Sequence, residues 1–132
     1  MPEPHPFRRA AENKDLELMR ETLREDVVLH SPILFRGFEG REIVIAVLGQ
    51  VIEVLEDFRY TDELLEGDTV ALRFKAMVGD RELEGIDFLE LDGEGRVAEL
   101  TVFMRPLSAL TRFNEQMTAR LAAALPASEP PL

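Results

Sequence analysis

An α+β fold follows from where the hydrophobic period of this chain changes. Residues 41–58, REIVIAVLGQVIEVLEDF, place Ile43, Val47, Val51 and Leu55 in one apolar stripe, with Ala46 and Val54 alongside, the spacing of an amphipathic helix. From residue 58 to 105 the period is two, and the runs are separated by GD and DGEG turn signals. Residues 107–125, LSALTRFNEQMTARLAAAL, return to helical spacing. Strands grouped together and flanked by helices predict a strongly curved antiparallel sheet packed against helices. A long helix laid across such a sheet makes a cone with an internal pocket.

The elements read in order. Phe7, Ala10 and Ala11 make a short helical stripe that stops near Asn13. Asp15 restarts the chain as an N-cap, with Leu16, Met19 and Leu23 on one side of a second helix. VVLHSP (27–32) is a short strand running into Pro32, and LFRGFEG (34–40) is a Gly-punctuated loop or hairpin arm. The long helix at 41–58 follows. Four strands then form a meander: FRYTDELLE (58–66), TVALRFKAMV (69–78), RELEGIDFLEL (81–91) and RVAELTVFMR (96–105). Pro106 ends the last of them. One domain spans 1–125, and the Pro-rich PASEPPL (126–132) reads as a frayed tail.

Composition excludes several function classes. The chain has 132 residues, 26 acids against 15 bases, and a formal net charge of −11. A nucleic-acid partner calls for a basic patch, so none is expected. The chain has no cysteine and two histidines, His5 and His30, so neither a thiolate nor a histidine metal site is expected, and no cofactor is implied. No apolar run reaches the roughly 18 residues of a membrane span, and MPEPHPFRRA lacks the apolar core of a signal peptide. The expectation is a cytoplasmic protein that does not engage membranes.

The stretch that asks for an explanation is GIDFLELD (85–92). Alternation puts Leu83, Gly85, Asp87, Leu89 and Leu91 on one face and Glu82, Glu84, Ile86, Phe88 and Glu90 on the other. The glutamates mark the wet face, so Asp87 points the other way. A buried carboxylate without a partner costs several kcal/mol or shifts its pKa upward. Asp87 is either a structural carboxylate with a hidden partner or a polar handle inside a cavity.

On these residues the chain resembles the nuclear transport factor 2-like superfamily, the cystatin-like cone fold, and within it the SnoaL-like group. REDVVLHSPILFRGFEGREIV, VALRFKAMVGDRELEGIDFLELDGEGRVAELTVFMRP and the helix spacing between them carry the resemblance, over roughly residues 7 to 110. The superfold hosts isomerases, dehydratases, cyclases, epoxide hydrolases and non-enzymatic binding or dimerisation modules. The resemblance to its ketosteroid isomerases can be followed residue by residue. Their base, an Asp before a Pro, falls on Ser31, with His30 beside it. Their helix-borne tyrosine falls on Phe7. Their protonated acid falls on Asp87.

The resemblance implies that Asp87 acts as acid or oxyanion donor on a small, mostly apolar organic molecule, with His30 as base and Ser31 orienting it. Alternation lets only one of His30 and Ser31 face inward. Tyr60, Phe74, Leu100, Val102 and Met104 are the expected substrate-binding neighbours. Isomerase, dehydratase or cyclase chemistry would suit such a site, and a non-catalytic ligand-binding or protein-interaction module is the alternative. The opposite sheet face mixes Met77, Ile86, Phe88, Thr101 and Phe103 with Arg73, Lys75 and Arg105, which suggests a homodimer through that face.

Overall fold

A computed structural model of the chain describes residues 4–124. The described elements are α1 (Pro6–Glu12), α2 (Leu16–Thr22), β1 (Leu23–His30), β2 (Phe38–Glu39), α3 (Arg41–Val54), β3 (Glu56–Glu66), β4 (Thr69–Val78), β5 (Arg81–Leu91), β6 (Val97–Arg105) and α4 (Leu107–Ala124). The tail expected at 126–132 lies outside the described residues.

The helix ends follow local chemistry. His5 and Asp15 cap α1 and α2, their side chains accepting from the amides of Phe7 and Leu18. Asn13 caps α1 at its other end. α3 ends at Val54, four residues before the predicted Phe58, because Leu55 turns extended and Asp57 adopts a left-handed φ of +52°. Asp tolerates that conformation better than most residues. The extended backbone that follows starts β3 at Glu56. Leu23, expected on the α2 stripe, is the C-cap of α2 and the first residue of β1.

The six described strands form one curved, open sheet in the order β2-β1-β6-β5-β4-β3. β3 to β6 are the antiparallel meander. β1, however, pairs with β6 in parallel, so the sheet is mixed rather than antiparallel throughout. The chain between them, α3 and the meander, returns it in the same direction. Register shifts at Glu56/Arg59, Tyr60/Asp62 and Glu90/Leu91 insert unpaired residues that bend and twist the strands.

The concave face holds the core. Val70, Leu72, Phe74, Ala76 and Val78 of β4 all point inward, as do Leu83 and Leu89 of β5 and Leu100 and Val102 of β6. α3 packs on β1 and β2, α4 on β4 to β6, and α1 on β3. From α4 the stripe Ala109, Phe113, Met117 and Leu121 enters the core at helical spacing.

Gly85 is required by this packing. A Cβ there would sit 2.2 Å from the Phe103 carbonyl oxygen and 2.6 Å from Cζ of Phe74, its cross-strand partner. The missing side chain leaves room for the edge of the Phe74 ring over Gly85.

Candidate functional site

The inward face of the sheet and the helices above it leave a cavity of about 70 Å³. α1 contributes Phe7 and Ala11, α2 Met19, and α3 Val47, Leu48, Val51 and Ile52. Phe113 and Met117 of α4 close another side. The wall is apolar except for four residues: Lys14, Ser31, Tyr60 and Asp87. By the volume one buried water occupies, the space suits about five to seven non-hydrogen atoms.

Asp87 is 7% exposed. The register sets it between Leu72 of β4 and Val102 of β6. Tyr60, one strand further out on β3, reaches over β4 and donates its hydroxyl to Asp87 Oδ2 at 2.6 Å. No other hydrogen bond to the carboxyl is made by the described residues. Burial pushes the Asp87 pKa up to about 7, and the Tyr60 hydrogen bond opposes that shift. Burial, followed by the charge and hydrogen bond of Asp87, holds the Tyr60 phenol well above its usual range, so it stays a donor. At neutral pH the pair therefore exists in two forms. Neutral Asp87 offers a proton to the cavity, and charged Asp87 can accept one.

Aromatic packing fixes the phenol. Phe58 stacks on Phe74 with centroids 5.0 Å apart, and the Tyr60 ring stands edge-on to both, at 4.9 and 6.3 Å. The Arg8 guanidinium lies 6.0 Å from the centroid of the Tyr60 ring and is itself held by Glu63 at 3.1 Å. The carboxyl has a hidden partner, and it also lines a cavity.

Of the residues expected at the site, Asp87, Ser31, Tyr60, Phe74, Val102 and Met104 line the cavity. His30 and Leu100 do not. His30 follows inward-facing Leu29, so alternation turns it to the convex side, where Nε2 lies 3.4 Å from Glu99 Oε2. That placement removes the basis for His30 as the base. Leu100 is fully buried between its strand partners Leu29 and Leu89 and is not part of the cavity wall. Ser31 is the inward member of the His30–Ser31 pair, and its Oγ accepts from the amides of Ile33 and Leu34 at 3.3 and 3.0 Å.

Sequence reasoning missed Lys14, which is the one exposed residue in the wall. It sits in the α1–α2 turn with a left-handed φ of +54°. It also passed over Phe113 and Met117, although their spacing on α4 was the available signal. Among the described residues no cluster of acids and histidines is suited to a metal ion, and no helix is long and apolar enough to cross a membrane.

Residues 6–100 match the SnoaL-like domain family. A crystal structure described as a steroid delta-isomerase from Pseudomonas aeruginosa is 36% identical, covering 89% of this chain and 87% of that one, with a TM-score of 0.84. An uncharacterised bacterial protein with a cystatin-like fold from Silicibacter pomeroyi is 32% identical over 89% of this chain and 83% of that one, at a TM-score of 0.85. A protein described as a putative SnoaL-like polyketide cyclase from Shewanella denitrificans shares the fold at 15% identity and a TM-score of 0.63, covering 86% of this chain and 93% of that one. No curated protein matches the chain. Matched over most of its length by the family's own pattern and by relatives above 30% identity, the chain belongs to the SnoaL-like family, within the nuclear transport factor 2-like superfamily and its cystatin-like fold.

Proposed function

We propose that this protein binds a small, largely apolar carbonyl compound in the cavity and moves a proton on it, with Asp87 as the proton carrier. The observation that carries the reading is a buried carboxyl in an otherwise apolar cavity whose one hydrogen-bond partner is the Tyr60 hydroxyl. A carboxyl with a pKa of about 7 is matched to proton transfer at neutral pH. In its charged form Asp87 takes a proton from a carbon beside the carbonyl. In its neutral form it returns that proton to a different carbon or to a departing oxygen. Tyr60 steadies the charged form.

Isomerisation, dehydration and aldol-type cyclisation all consist of such steps, and the 36%-identical relative is described as a steroid delta-isomerase. Ligand pockets for drug-sized molecules run to about 300–1,000 Å³, so a cavity of about 70 Å³ favours a substrate far smaller than a steroid.

The test has two parts. Thermal unfolding is followed across a panel of small ketones and enones, because a ligand that binds only the native state raises the midpoint. Bound ketones are then incubated in deuterated water, and deuterium entering the carbon beside the carbonyl is read by NMR. Wild type should bind and exchange, and Asp87→Asn should not exchange. An absence of midpoint shifts in wild type sinks the reading. Binding with no exchange above buffer leaves a ligand-binding module without chemistry.

A second reading concerns the convex face. Phe103 and Ile86 are exposed side by side there, 57% and 38%, on paired strands. We propose that this face seats a second copy of the chain. Arg73 lies 3.6 Å from Asp62 and 3.9 Å from Glu84, and Arg105 also pairs with Glu84, so charges of both signs ring the apolar pair.

A further inference from the structure

We propose that Ser31 is a hydrogen-bond donor to a second oxygen of the ligand, so that the substrate is a short carbonyl compound carrying another oxygen acceptor a few bonds away. The inference rests on the reading of Asp87 as the proton carrier beside the carbonyl of the ligand.

Three observations support it. The first is hydroxyl bookkeeping. A serine hydroxyl has two acceptor sites and one proton. Both acceptor sites of Ser31 are taken by the amides of Ile33 and Leu34. No acceptor for its proton exists among the described residues. The hydroxyl is thus fixed as a donor, which also removes it from consideration as a base. The second is position. Pro32 keeps Ser31 in the extended region, so it continues the alternation of β1. His30 pairs with Thr101, which sets Ser31 beside Val102, and Val102 pairs with Asp87.

Ser31 and Asp87 therefore flank Val102 in one row across the sheet, two strand spacings or about 10 Å apart at Cα. All three line the cavity. A short molecule lying over Val102 reaches both. The third is scarcity. The remaining polar group in the wall, Lys14, is exposed at its edge, so within the row an oxygen away from Asp87 has Ser31 as its available donor.

The natural probes are pentan-2-one and 4-hydroxybutan-2-one, which have the same shape and differ in a methyl against a hydroxyl. Each is titrated into isotopically labelled wild type, Ser31→Ala and Ser31→Thr, with binding read from amide shifts. Ser31→Ala should weaken the hydroxyketone by about tenfold and leave pentan-2-one within about twofold. Ser31→Thr keeps a hydroxyl for both the turn and the ligand, and should restore the hydroxyketone. Unchanged binding of pentan-2-one reports that the Ala variant is folded. If Ser31→Ala shifts both ketones equally, or neither, Ser31 is a turn cap only and the proposal is overturned while the Asp87 reading stands. If neither ketone binds wild type, both readings fall together.

Discussion

The Tyr60 hydroxyl meets Asp87 Oδ2 at 2.6 Å across an intervening strand, and it is the one contact in the cavity that favours the charged carboxylate. Burial of the carboxyl, which the phenol opposes only in part, makes the protein's stability depend on pH.

Asp87 binds its proton more tightly folded than unfolded. Between its unfolded pKa near 4 and its folded pKa of about 7, the native state holds more protons than the unfolded chain. Stability from this group is therefore present below about pH 4, falls as pH rises to about 7, and is level above. The full swing is of the order of a few kcal/mol. Asp87→Asn removes it. Denaturant unfolding at several pH values should show the variant gaining on wild type from pH 4 to 7, and parallel curves would contradict the burial argument.

Tyr60→Phe takes away the contact that opposes the burial shift. The Asp87 pKa should then climb above about 7. A carboxyl-carbon NMR titration reads this directly. A pKa that falls or stays put would mean that the phenol is not the group stabilising the charge.

Gly85→Ala drives a methyl into the Phe103 carbonyl and the Phe74 ring. Backbone lies on one side, so the collision cannot be relieved by a rotamer change alone. The expected cost is about 2–3 kcal/mol or more, seen as a fall in melting temperature of roughly 10 °C. Gly93, with nothing within 4 Å of its would-be Cβ, is the control, and Gly93→Ala should melt close to wild type.

His30→Ala should leave ketone binding and deuterium exchange untouched, because the ring lies on the convex face beside Glu99. Stability should change by less than about 1 kcal/mol, the range for exposed pairs. Loss of exchange in this variant would return His30 to the site.

Phe103→Glu should dissociate the proposed dimer by placing a charge in its apolar centre. Sedimentation at tens of micromolar should give dimer for wild type and monomer for the variant. Monomer in both would retire the second-copy reading.

The inward turn of Asp87 was legible in the sequence because glutamates on alternate positions of β5 mark the water side. The α4 stripe and the meander were legible for the same reason, a sustained period. Three features were hidden. The end of α3 depends on the backbone of a single residue, Asp57, and not on any pattern. Whether His30 or Ser31 faced inward depended on the phase of β1, which begins four residues before its apolar run. The Tyr60–Asp87 partnership depended on register across β4, and β3 carries a shift at Tyr60/Asp62 that resets its alternation. Periodicity reports which face a residue takes within its own strand, and it says nothing about which residue on another strand it will meet.

Tyr60 is the only tyrosine in a chain without tryptophan. Absorption and emission at wavelengths beyond the phenylalanine bands thus come from one ring, and that ring is hydrogen-bonded to the buried carboxyl. An ionised carboxylate quenches a phenol that donates to it, whereas a protonated one does so far less. The protein therefore carries its own optical gauge of the cavity. Light emitted from a single side chain should follow both the protonation of Asp87 and the arrival of any molecule that takes the carboxyl's place, with no label attached.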